Sequence, residues 1–168
     1  LENAQKGKSS TPIDMDQRSL TQIAAEKASG NSNSEDSNST EAPLSDSPLS
    51  PIELAAPVKY ARRALTQEKN SAKAIRLLKG PARSGDLEAS RLLGTVYYRA
   101  KEFEQARTWF QSAATGGDVE AQRFLGMIFF LGQGVEQDYA QASLWLGKAS
   151  AGGDTQAPRY LRIVEQFY

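Results

Sequence analysis

Over the last hundred residues, small and large apolar side chains recur at fixed places in a polar background. Ala74, Ala106 and Ala142 fall in register, followed by Leu77, Trp109 and Trp145, then by Leu78, Phe110 and Leu146. Between these sets lie Ala89, Ala121 and Ala157, with Leu93, Leu125 and Leu161 after them and then Val96, Ile128 and Val164. Steps of three and four place each set on one face of a helix. The first sets predict three B helices, within the similar blocks 71–86, 103–118 and 139–154, and the second sets predict the A helices that follow or precede them. The blocks begin 32 and then 36 residues apart. A period near ~34 marks a stacked array of helix pairs. One pair cannot bury its own apolar face, so neighbouring pairs must stack. Alanine columns beside large apolar columns predict close helix contact, with Trp109 and Trp145 as core residues rather than ligand contacts.

The punctuation agrees with these elements. Asn70, Glu102 and Asp138 open the B helices, and Asn and Asp side chains accept bonds from free N–H groups at an N-cap. Gly85, Gly117 and Gly153 close them, as a left-handed C-terminal cap requires. Asp86, Asp118 and Asp154 then cap the next A helix. Counting back places a fourth, divergent A helix at residues 57–67, with Pro57 in its first turn, and Pro158 takes the same place in the last one. The expected fold is all-α: a right-handed α-solenoid of seven helices over residues 52–168.

Residues 1–50 read differently. They hold eleven Ser and few large apolar residues, so they cannot bury enough surface to offset the entropy of ordering. We expect a disordered, Ser-rich acidic tail over 1–50 and a repeat domain over 51–168, about three repeats with the last partial. Residues 17–28 carry Leu20, Ile23, Ala24 and Lys27 in a short amphipathic pattern, and Asn38-Ser-Thr40 fits a glycosylation acceptor. The first residue is Leu1, which reads as a processed or truncated start with any signal peptide already removed.

Total charge is zero, but it is unevenly placed. Residues 1–50 hold eight acids and four bases; residues 51–168 hold twelve acids and sixteen bases. The chain has no Cys and no His. A Ser-His-Asp triad, a thiolate nucleophile and the common zinc sites are therefore absent from the inventory. No stretch reaches the ~18–20 apolar residues of a membrane-spanning helix. The expectation is a non-enzymatic protein with no cofactor and no metal. The Gly132-Gln-Gly134 loop lacks the Lys and hydroxyl of a phosphate-binding loop and is expected to be a left-handed inter-helix turn. Asp86, Asp118 and Asp154 are spaced as caps, not as an acid–base dyad.

One family shares this pattern. Ala121, Leu125, Gly126, Phe129, Gly132, Gly134, Val135, Asp138, Ala142, Trp145, Ala149 and Gly152 fill the consensus of the Sel-one-like repeat family, a tetratricopeptide-like group. The preceding repeat keeps Ala89, Leu93, Gly94, Tyr97, Ala106, Trp109 and Ala113, but has Arg99 to Phe103 where the glycine loop would be, and so resembles a plain tetratricopeptide unit. The last copy has Arg162 where Gly is usual. The resemblance covers roughly residues 57–168. It implies an adaptor that assembles complexes and favours a periplasmic or secreted bacterial protein, with the cytoplasm left open. It brings no catalytic residues.

The resemblance also implies that the A helices line a concave face. Lys59, Arg63 and Thr66; Arg91, Thr95 and Tyr98; Arg123, Met127, Phe130 and Leu131; and Arg159, Ile163 and Gln166 would then form a stripe. Lys59, Arg91, Arg123 and Arg159 recur once per repeat. Arg forks suit carboxylates and phosphates, while Met and aromatics suit apolar anchors. Two readings follow: a scaffold binding a protein or peptide segment in this groove, or a cell-envelope factor binding a polyanionic or glycan ligand on the basic stripe. A third possibility stays open beside them, that these arginines only pair with Glu88, Glu120 and other local acids. Residues 59–83 form a second basic surface, with eight bases and one acid. It reads as a solubilising end cap, or as a dock for the acidic tail or an anionic partner. No nucleic-acid motif is present and a domain charge of +4 is modest, so nucleic acid is unsupported as a partner. Oligomeric state is not legible.

Overall fold

The structure is a computed structural model and describes residues 48–167 of the chain. Among these residues every regular element is helical. The order is α1 (Pro51–Ala55), α2 (Pro57–Thr66), α3 (Ser71–Arg83), α4 (Leu87–Arg99), α5 (Phe103–Thr115), α6 (Val119–Leu131), α7 (Tyr139–Ala151) and α8 (Ala157–Val164), closed by a 3-10 turn at Glu165–Phe167. Helices α2, α4, α6 and α8 are the four A helices, and α3, α5 and α7 are the three B helices. Each helix packs on the next in sequence, and each A helix also touches the following A helix. The B helices touch one another less, which puts the A layer on the inside of the stack. The chain is an α-solenoid.

The apolar columns form its core. Ala74, Ala106 and Ala142 are fully buried, and so are Ala89, Ala121 and Ala157. Leu78, Phe110 and Leu146 are equally sealed. Within a repeat the A helix sits hard on its B helix. A Cβ on Gly94 would lie 2.6 Å from Phe110 Cδ1, and one on Gly126 would lie 2.7 Å from Leu146 Cγ. Only glycine allows that approach. Trp145 is buried as expected, but Trp109 is only half-buried, at the edge of the core. Its neighbour Phe110 points inward instead and stacks on Phe124, with ring centroids 4.9 Å apart.

Each B-to-A junction uses one aspartate twice. Asp86, Asp118 and Asp154 donate their N–H groups back to Pro81, Ala113 and Ala149 at 3.1, 3.0 and 2.9 Å. The glycine before each has φ of +92°, +97° or +93°, so the turn is left-handed as expected. The Asp86 and Asp118 side chains then accept from Ala89 and Ala121 N–H at 2.8 Å, starting α4 and α6. Helix α8 begins later relative to its aspartate. In α4 and α6 the residue four after the aspartate donates to its carbonyl, but Pro158 holds that place and has no N–H. The Gly132-Gln-Gly134 loop is left-handed at both glycines, with φ of +60° and +65°.

Helix α1 is an addition to the seven expected helices. Ser50 Oγ accepts from Glu53 N–H at 3.3 Å, and Glu53 Oε2 accepts from Ser50 N–H at 2.8 Å. This reciprocal capping box, with Pro51 at N1, is what Ser-Pro-Ile-Glu encodes. Leu49, which the expected bounds place in the tail, also packs against the core. The rest of the expected tail, including residues 17–28, lies outside the described residues.

Glu53 pairs with Lys73 Nζ at 2.6 Å, tying α1 to α3. The Lys73 ammonium first, and Ser50 second, hold the Glu53 carboxyl down to about 2 from its ordinary 4.5. A depressed carboxyl stabilises fully above its unfolded value and progressively less as pH falls. The α1–α3 tie should therefore be intact at about pH 5 and lost between 4.5 and 2. Carbon-detected NMR titration of Glu53 should give a midpoint near 2, which Lys73→Ala moves upward. A native midpoint at the ordinary value would refute the assignment.

Candidate functional site

The A-helix stripe divides into two sets in the structure. Lys59, Arg63 and Arg159 are exposed, as are Thr66 and Gln166, while Arg91 and Thr95 are half-buried. Tyr98, Arg123, Met127 and Phe130 are buried at 6, 3, 1 and 3 % exposure, and Leu131 and Ile163 are buried as well. These buried residues were expected to face a partner, and instead they fill the inner layer of the stack. Phe130 packs edge-on to Phe167 of the closing turn, with centroids 5.5 Å apart. Tyr98 meets Phe103, Phe110 and Phe124 at 5.4, 6.4 and 6.1 Å. Its hydroxyl is pushed up to about 12, chiefly by burial. Gln133 is near enough to pull that value down slightly, yet no well-aligned hydrogen bond joins the two side chains.

The two central arginines bind the array together. Arg91 Nε donates to Asp118 Oδ2 at 3.1 Å, and Arg123 Nε donates to Asp154 Oδ2 at 3.0 Å. Asp118 uses its other oxygen, Oδ1, to cap α6, while Asp154 Oδ1 accepts from Gln156 and Ala157 N–H at the entry to α8, whose N-cap position is Gln156. One carboxylate thus starts a helix and holds the preceding A helix against it. Glu120 joins the pairs, lying 2.7 Å from Arg91 Nη1 and 3.8 Å from Arg123 Nη2. Arg123 also lies over the Phe124 ring at 4.6 Å. Local pairing accounts for Arg91 and Arg123, but through the cap aspartates as much as through Glu120. At the first position Lys59 makes no such bond, and Arg62 pairs with Glu88 instead. The missed signal is an Arg early in one A helix followed 27 or 31 residues later by the next cap aspartate.

The exposed charged heads of the expected stripe are all cations, with the neutral Thr66 and Gln166 beside them. Lys59 and Arg159 have no ion pair among the described residues, and Arg63 has only a 3.7 Å contact to Glu68. The Thr95 hydroxyl is already donated to the Arg91 carbonyl at 3.0 Å. A hollow of about 490 Å³ opens elsewhere, beside the glycine loop, between Phe129, Tyr139, Phe167 and the carboxylates Glu136 and Asp138. Asp138 there is engaged in capping α7, accepting from Gln141 N–H at 2.9 Å. Among the described residues no group of His, Cys, Asp or Glu is placed to hold a metal, and no helix is long and apolar enough to cross a membrane.

Comparison with known proteins gives a consistent picture. A family model described as Sel1 repeat matches residues 88–118 and 119–154. These are the α4–α5 and α6–α7 units. Among solved structures, a Sel1 repeat protein from Oxalobacter formigenes is 31% identical, with a TM-score of 0.56, over 66% of this chain and 88% of that one. A search of curated proteins finds no match.

Proposed function

The chain belongs to the Sel1 repeat family, and on that premise we propose that it is a non-enzymatic scaffold taking an acidic segment of a partner protein along its A-helix layer. The observation that carries this reading is the cationic remainder of the stripe. Lys59 and Arg63 are exposed on α2 and Arg159 on α8, at the two ends of the A layer, with half-buried Arg91 and Thr95 of α4 between them. Arg and Lys heads held on a rigid helical layer suit carboxylates of an extended chain. An adaptor role accords with a chain that holds no His and no Cys, since the usual general base and thiol nucleophile are missing.

The buried set changes how this is tested. Arg123→Glu would put a carboxylate beside Asp154 in the core, so it reports on folding and not on binding. The triple variant Lys59→Glu/Arg63→Glu/Arg159→Glu alters exposed heads alone. It should lose the partner that the native chain retains from its source lysate, with a melting point within a few degrees of native. Retention of the same partner by the triple variant would sink the groove. A salt series separates this reading from a glycan or polyanion ligand in the cell envelope, whose binding should fall more steeply.

A further inference from the structure

Between Lys27 and Lys59 the chain carries no base and five acids: Glu35, Asp36, Glu41, Asp46 and Glu53. From Lys59 to Arg83 the balance reverses, with eight bases and Glu68 as the sole acid. The last acid of the first block is already seated on the second, through Glu53 and Lys73 at 2.6 Å. Four of the bases, Lys59, Lys69, Lys79 and Arg83, are exposed and have no ion pair among the described residues. Two neighbouring blocks of opposite charge are therefore joined at one point, with cations to spare beyond it.

We propose that residues 35–46 dock in cis on the basic α2–α3 surface, extending the contact that Glu53 begins and masking that surface from acidic partners. Reach permits it. At about 3.5 Å per residue, residue 46 can lie about 14 Å from Ser50 and residue 35 about 50 Å. Helix α3 is only about 20 Å long at 1.5 Å per residue. The tether also favours this occupant over others. A segment a few residues from its dock faces an effective concentration in the millimolar range, so individually weak ion pairs suffice. A second copy would bring the same basic surface and gain no such advantage. The proposal shares Lys59 and Arg63 with the groove reading and stands without it.

Zero-length carbodiimide cross-linking of the full chain tests the contact, using an equal mixture of nitrogen-15-labelled and unlabelled protein. The expected links join Glu35, Asp36, Glu41 or Asp46 to Lys59, Lys69 or Lys79 within one isotopic copy. They should fall several-fold at about 0.5 M salt, where the screening length is only a few ångströms. Links that mix isotopes would assign the surface to a second copy and overturn the proposal. Absent or salt-insensitive links would overturn it as well. A second measurement uses the variant Glu35→Gln/Asp36→Asn/Glu41→Gln/Asp46→Asn and a fluorescent peptide of residues 33–48. The peptide should bind this variant about ten-fold or more tighter than the native chain, because its dock is then vacant. Equal affinity for both proteins would show that nothing in the native chain occupies the dock.

Discussion

Asp154→Ala should cost the fold about 3–5 kcal/mol, whereas Asp86→Ala should cost about 1 kcal/mol. The two residues hold the same register position and make the same backbone turn. They differ in what their second oxygen does. Asp86 caps α4 through Ala89 N–H and is exposed, so its loss removes a cap. Asp154 accepts from Ala157 N–H at the entry to α8 and also receives Arg123, whose side chain is only 4 % exposed. Removing that carboxylate leaves the buried guanidinium with only the looser Glu120 contact at 3.8 Å, and a poorly compensated buried charge is far more costly than a lost cap. Replacing Arg123 with Met in the Asp154→Ala background should recover much of the loss, since no charge is then left unpaired. Urea unfolding of the three variants reads this directly. Equal costs for Asp86→Ala and Asp154→Ala would show that the Arg123 pair contributes nothing.

Phe110→Ala should destabilise the array by about 3–5 kcal/mol, the range for truncating a fully buried aromatic. Trp109→Ala should cost clearly less, although Trp is the larger residue. Phe110 has no exposed surface, stacks on Phe124 and fills the space that Gly94 leaves. Trp109 sits on the core's margin. Phe110 bridges α4, α5 and α6, and repeats are coupled through nearest neighbours, so its loss should propagate to both adjoining helices. Denaturant unfolding followed by helical circular dichroism would order the two variants. A larger loss for Trp109→Ala would refute the assignment of burial.

The helix registers were legible because each rests on local rules that repeat. Glycine after a B helix, aspartate three places from its end and alanine three further on are readable one repeat at a time. Ser50-Pro-Ile-Glu53 carries a capping-box pattern, but the sequence reading missed the helix it opens, because five residues offer too few apolar positions to show periodicity. The groove was less legible for a different reason. Whether Tyr98, Met127 and Phe130 face a ligand or one another depends on how tightly the A layer closes, and that distance is set by residues in other repeats. Arg123 shows this most clearly. Its own helix supplies only the Phe124 ring and a loose Glu120 contact, whereas the carboxylate that takes its Nε–H comes from Asp154, 31 residues later. Trp109 and Phe110 show the smaller version, in which adjacent positions of one apolar face divide burial unequally.

The arginine–aspartate stitch has a consequence for how such an array can grow. Arg91 and the Asp118 that it grips both fall within residues 87–118, so a single duplicated segment carries donor and acceptor together. A tandem copy inserted after Asp118 would find its first helix already capped by the resident aspartate. Its own aspartate would in turn cap α6, gripped by its own arginine. Lengthening by whole units therefore requires no new joint, and the seam between old and new sequence repeats contacts that the fold already makes.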